Sequence, residues 1–277
     1  MPAAAKRPTP DALDVAVALL KKRDGVDKVL KLARYAAIFA VSEVKRSLTV
    51  TPSESSREFV RAGTAFERSI GAARRVYRVG KFLGNVKDLR DAVRDAEAAG
   101  KRGRERFLTA AALCASLEGA YYFLEQGVWL SRAGVVMREK SALARLVRWS
   151  ARAEVASYAF SIACASEEYR EAAAEARDAR QSLFAEASRA LAGSGTDQEA
   201  LASLRRKISV AEKEKFAAIR SMCQDIIDGA LSLEDAVDVP GFEISNERLV
   251  NALALLAAFL DFSGKLQDAV DSFDDAK

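Results

Sequence analysis

Apolar residues recur along this chain at three- and four-residue intervals, and no stretch of any length alternates apolar with polar. A period near 3.6 gathers such positions on one helix face, whereas a period of two marks strands. The pattern predicts an all-α fold, a bundle of long amphipathic helices. Leu13, Val17 and Leu20 make the first stripe, with Thr9 placed to cap that helix and Pro10 at its first position. Asp24-Gly25 reads as a turn and Asp27 as the cap of a second helix over 28–46, with Val29, Leu32, Tyr35, Ala36 and Phe39 along one side. Residues 49–56 read as a loop. A basic helical region over 57–99, broken near Gly84, runs to the polar break Gly100-Lys101-Arg102-Gly103. Helices are expected over 107–137, 141–191, 197–231 and 246–273. A Gly193-Ser194-Gly195 break and a connector over 232–242, turning at Pro240-Gly241, separate the last three.

Residues 73–89 carry the sharpest two-faced pattern. Read as one helix, they place Val76, Val79, Phe82, Leu83, Val86 and Leu89 on one arc, with Arg74, Arg78, Lys81, Asn85 and Asp88 opposite. Such a helix lies in a membrane surface, with its apolar side in the acyl boundary and its cations on lipid phosphates. The same pattern also fits a basic surface helix docked on a protein core. Both readings stand on periodicity alone.

Two stretches approach the length of a membrane span, about 20 residues. The block over 107–137 is long enough, but Glu118, Glu125 and Gln126 interrupt it, which favours a buried or partly embedded helix. The run Leu249–Leu260 holds only 12 residues before Asp261, and extending it to Gly264 and Leu266 gives a marginal, tilted span. The expected bundle is therefore partly membrane-embedded, with one or two marginal transmembrane helices.

Composition narrows the chemistry. Of 277 residues, 50% are hydrophobic and 30% charged, enough apolar residue to build a core and exclude a disordered chain. There is no His, which removes His-based acid–base catalysis, Ser-His-Asp triads and His metal ligands. The cysteines Cys114, Cys164 and Cys223 lie far apart in helical context and read as buried small hydrophobes, without metal-ligand spacing. No phosphate-binding glycine loop is present. Glu118 and Glu125 share a helix face and read as the polar side of a packed helix. Tyr121, Tyr122, Phe123 and Trp129 read as core packing, with a base-stacking or interfacial role as the alternative. No enzyme, cofactor or metal is expected. Residues 57–106 hold 14 basic and 7 acidic side chains, a local surface for an anionic partner, either lipid or nucleic acid. The start lacks the apolar core of a secretory signal, and the last three residues are not a serine-lysine-leucine peroxisomal address.

Three stretches in register resemble the peroxin-11 family of peroxisomal membrane proteins. The first carries Lys22, Asp24, Gly25, Asp27, Lys28, Leu32 and Tyr35. The second is the arginine-rich segment with Arg74, Arg78, Gly80, Lys81, Phe82 and Leu83. The third holds Tyr122, Trp129, Leu130, Arg132 and Gly134. Beyond residue 141 the likeness is one of layout, with residues of about 170–215 in place of the family's charged linker. The division expected is a disordered lead over 1–10, an N-terminal helical region over 11–140 and a C-terminal one over 141–277 with the hydrophobic segment 249–260. The resemblance implies a non-enzymatic protein of the peroxisomal membrane that drives elongation, proliferation and fission of the organelle. It implies a membrane-inserting face of Val76, Val79, Phe82, Leu83, Val86 and Leu89, and anionic phospholipid contacts from Arg74, Arg78 and Lys81. The implied partners are further copies of the chain, a dynamin-like fission GTPase with its adaptors, and the import receptor peroxin-19, with no nucleic acid. The alternative is a soluble all-α scaffold or nucleic-acid-binding bundle using the basic 57–106 surface.

Overall fold

The computed structural model describes residues 11–49, 53–136, 139–191, 198–237 and 246–274. Eight α-helices fill them, and among the described residues there is no strand. They are α1 (Ala12–Lys21), α2 (Arg23–Leu48), α3 (Glu54–Tyr77), α4 (Phe82–Ala98), α5 (Ala110–Arg132), α6 (Lys140–Leu191), α7 (Gln198–Ala236) and α8 (Glu247–Asp274). The expected disordered lead, the Thr9-Pro10 start, residues 50–52 of the expected loop, the Gly193–Gly195 break and the Pro240-Gly241 turn lie outside the described residues.

Local chemistry explains the boundaries. Asp11 caps α1 through a reciprocal box, accepting from the Asp14 amide at 2.8 Å while Asp14 accepts from the Asp11 amide at 3.1 Å. Asn246 accepts from the Leu249 amide at 3.1 Å and opens α8. The Asp24-Gly25 turn is corrected: both residues lie in the first turn of α2, and Lys22 alone separates α1 from α2. Gly25 permits that tight joint, since a Cβ there would run into the Leu19 carbonyl oxygen. Asp27 is likewise no cap but a buried residue inside α2. The continuous helix over 73–89 is also corrected. α3 ends at Tyr77, residues 78–81 turn, and Gly80 adopts φ 74°, a left-handed conformation that favours glycine. Gly84, the expected break, sits within α4.

The helices pack as antiparallel neighbours. In α2 and α3, Asp27 meets Arg74 and Arg34 meets Glu67. In α5 and α6, Tyr121 meets Ser150 and Cys114 meets Ser157. In α6 and α7, Ser161 meets Asp225 and Arg180 meets Glu212. α8 returns along α2, with Arg248 on Glu43 at one end and Asp261 on Lys28 further along. Ion pairs thus join the first and last thirds of the chain.

The interior is built from small residues. Fifteen of the twenty buried apolar residues among those described are alanine. Ala165, Ala172, Ala176 and Ala179 of α6 lie buried at helical spacing, as do Ala211 and Ala218 of α7. Small residues let helix backbones approach closely, the packing typical of helices in lipid. The larger apolar side chains go the other way: Phe123, Trp149, Phe216, Ile226 and Phe259 are exposed, whereas Asp27, Lys31, Arg74, Asn85, Asp225 and Asp261 are buried.

One helix among those described is long and apolar enough to cross a membrane, residues Glu247–Phe273 of α8, with mean hydropathy 1.5 and 28% of its apolar window buried. The helix runs through Asp261, and its carboxylate is matched by two lysines of α2.

Candidate functional site

The turn between α3 and α4 is locked from three sides. The Arg23 side chain donates to the Tyr77 carbonyl and, at 2.7 Å, to the Val79 carbonyl, satisfying the orphan acceptors at the end of α3. Gln126 of α5 donates to the Arg78 carbonyl at 3.2 Å. Phe82 packs edge-on against Phe123 with ring centroids 5.6 Å apart.

The three cations assigned to lipid headgroups are turned inward, which corrects that assignment. Arg74, 6% exposed, donates to Asp27 at 2.9 Å. Arg78 reaches the other Asp27 oxygen at 3.4 Å, Glu125 at 3.1 Å and the Tyr121 hydroxyl at 3.2 Å. Lys81 donates to the Tyr122 hydroxyl at 2.7 Å and lies over that ring. Burial pushes the Asp27 carboxyl up, but Arg78 and Arg74 pull it down further, to about 2. Each of the three cations makes a charge-assisted hydrogen bond inside the bundle, which turns it away from a surface anion.

Turning the polar arc inward leaves the apolar arc outside. Val76, Val79, Leu83 and Val86 are 46–62% exposed. Phe82 and Leu89 are half-buried. The outer cations of this region are Lys87, Arg90 and Arg94 of α4, whose side chains gather around Asp91.

A second network lies deeper. Lys28 donates to Asp261 at 2.7 Å, and Lys31 bridges Asp228 at 2.8 Å and Asp261 at 3.0 Å. Ser161 donates to Asp225 at 2.6 Å, yet burial still pushes that carboxyl up to about 6. Tyr158 donates to Glu154 at 3.2 Å. The two networks border a polar cavity of about 130 Å³, lined from α2, α5, α6, α7, α8 and the α3–α4 turn. Asp27, Lys28, Lys31, Asp228 and Asp261 were not singled out from the sequence as a network, because their partners lie 47 to 233 residues away. Among the described residues no three of His, Cys, Asp and Glu come together to hold a metal. Cys114 and Cys164 are half-buried as small hydrophobes, while Cys223 is exposed, contrary to the expectation of burial.

An all-α bundle with a buried ion-pair network, exposed apolar side chains on the α3–α4 turn and, among the described residues, one helix long and apolar enough to span fits the class of helical membrane proteins. The profile of the Peroxisomal biogenesis factor 11 (PEX11) family matches residues 13–260, and the chain belongs to that family. It is 32% identical to Peroxisomal membrane protein 11-3 of Oryza sativa subsp. japonica over 93% of this chain and 90% of that one. It is 29% identical to Peroxisomal membrane protein 11A of Arabidopsis thaliana over 87% of each chain. Identity to Peroxisomal membrane protein 11-2 of Oryza sativa subsp. japonica is 28%, over 92% of this chain and 90% of that one. No solved structure matches the chain. Its place is the peroxisomal membrane.

Proposed function

We propose that this chain remodels the peroxisomal membrane, promoting elongation, proliferation and fission of the organelle, with the α3–α4 turn as a shallow wedge. The observation that carries the reading is the outward placement of Val76, Val79, Leu83 and Val86 while Arg74, Arg78, Lys81 and Asn85 between them face inward. Each of the four apolar side chains is about half exposed, so sinking it into the acyl boundary gains roughly 1 kcal/mol. Lys87, Arg90 and Arg94, three cations around a single carboxylate, supply the attraction to anionic headgroups, about 1 kcal/mol for each net charge near the surface. Area pushed into one leaflet bends it. A dynamin-like GTPase then acts on the narrowed neck, with self-association of the chain concentrating the wedge and peroxin-19 delivering it.

The test is tubulation of anionic liposomes by the full-length chain. The Leu83→Asp, Val86→Asp double variant is expected to bind weakly and to leave vesicles round. Tubulation at the wild-type level by that variant overturns the wedge. Lys87→Ala with Arg90→Ala is expected to weaken binding to anionic vesicles only.

A further inference from the structure

α1 is apolar on both sides. Eight of its ten residues are apolar, Asp14 and Lys21 being the exceptions. The helix packs on α2 and α8. On its inward side Val15 and Ala18 are half-buried and Leu19 is buried. At 100° per residue, Leu13, Ala16, Val17 and Leu20 fall on the opposite side. Leu13 is 69% exposed, Leu20 51% and Val17 42%. The stripe that periodicity picks out in this helix is therefore the outward one. A helix docked on a soluble core turns a polar face outward, whereas one apolar all round lies in a core or in lipid.

The position of α1 is the second observation. It ends beside the α3–α4 turn. Arg23, at the joint of α1 and α2, donates to the Tyr77 and Val79 carbonyls of that turn. Leu19, Lys22 and Arg23 share the lining of one cleft with Gly80, Lys81 and Gly84. The outer stripe of α1 and the exposed Val76, Val79, Leu83 and Val86 thus belong to neighbouring segments tied by one side chain. Lys21 and Lys22, at the end of α1, are exposed and take part in no ion pair among the described residues.

We propose that α1 is a second membrane-lying segment beside the α3–α4 turn, with Leu13, Val17 and Leu20 in the acyl boundary and Lys21 and Lys22 on lipid phosphates. Ten residues are half the length of a span, which needs about 20, so the helix lies in the surface and does not cross. Area selects lipid over a second copy of the chain. The helix is about 15 Å long and 10–12 Å wide, so its outer half offers on the order of 300 Å², against about 800 Å² per partner in a stable interface. Insertion in lipid has no such threshold and scales with whatever apolar area enters. The inference rests on the membrane placement of the α3–α4 turn and enlarges the apolar footprint there.

The experiment is photo-crosslinking of the full-length protein reconstituted in anionic vesicles. Benzoylphenylalanine replaces Val17 or, in a separate sample, Val86. Lipid adducts are read by mass spectrometry and protein dimers by gel. Both positions are expected to give lipid adducts, and position 17 to give no dimer. Leu13→Asp with Leu20→Asp is expected to lower the adduct yield at position 17 by about tenfold or more, since two exposed leucines lose their transfer into lipid. Both side chains are exposed, so an unchanged melting temperature checks that the fold is kept. Lys21→Glu with Lys22→Glu is expected to lower the yield in anionic vesicles and not in neutral ones. Dimers without lipid adducts at position 17 assign the face to a second copy and overturn the proposal. So does the absence of both, which leaves the stripe in water, or an undiminished yield in the leucine double variant. Equal loss in neutral vesicles overturns the headgroup role of the two lysines. A lipid adduct at position 86 without one at position 17 refutes α1 alone, and the reverse refutes the wedge alone.

Discussion

Asp261 is the only charged residue between Arg248 and Lys265 on the one helix among those described that is long and apolar enough to span a membrane. It accepts from Lys28 at 2.7 Å and from Lys31 at 3.0 Å, and its side chain is 6% exposed. Replacing it with Ala leaves Lys28, 16% exposed, without the carboxylate it bonds. Lys31 keeps Asp228 at 2.8 Å. Breaking a buried pair from one side costs about 3–5 kcal/mol, and the surviving Lys31 pair places this case near 3 kcal/mol. In a chain of this size each kcal/mol moves Tm by roughly 2–4 °C, so Asp261→Ala is expected to lower Tm by roughly 6–12 °C. Removing both charges, as in Lys28→Met with Asp261→Leu, leaves no buried ion unpaired and should return most of the loss. The measurement is thermal unfolding of the full-length protein in detergent, followed by circular dichroism. If Asp261→Ala unfolds at the wild-type temperature, or if the double variant is no more stable than the single one, the pair is not a buried contact and the account of α8 fails.

Arg74→Ala leaves Asp27 with Arg78 alone, at 3.4 Å, and should destabilise by about 3 kcal/mol in the same melt. The Asp27 carboxyl sits at about 2, below its ordinary 3.8, so its stabilisation is complete above about 4 and lost as pH falls toward 2. Arg74→Ala should therefore also flatten the wild-type loss of Tm across that acid window. Asp225 has the opposite sign. Its carboxyl is raised to about 6, so ionisation costs stability as pH rises from about 4 through 6. Asp225→Asn should raise Tm above that pH, by the equivalent of up to about 3 kcal/mol, and change little below pH 4. Gly25→Ala forces a Cβ onto the Leu19 carbonyl oxygen and should cost about 1–3 kcal/mol, seen as faster proteolysis at Lys22 and Arg23.

Helix positions were legible in the sequence because periodicity is a local property. α5, α6, α7 and α8 begin and end within a few residues of where the apolar stripes and glycine breaks place them. Which way a stripe faces was not legible, and the α3–α4 turn shows why. The pattern of Arg74, Arg78, Lys81 and Asn85 against Val76, Val79, Leu83 and Val86 is the same whether the polar arc faces water or a polar interior. The choice is made by Asp27, Glu118, Glu125 and Tyr122, which stand 33 to 51 residues away on α2 and α5. Asp27 itself fits a helix cap by every local rule, and only its neighbours in space make it an ion-pair partner. Asp261 makes the same point in reverse. Read along the chain, a carboxylate argues against a membrane span, because an isolated charge in lipid is costly. Read in the fold, the lysines that remove that cost lie 230 and 233 residues upstream, so α8 tolerates the carboxylate only while α2 lies beside it. The apolar run and its offending charge belong to a helix pair, and hydropathy counted on one helix alone misjudges both.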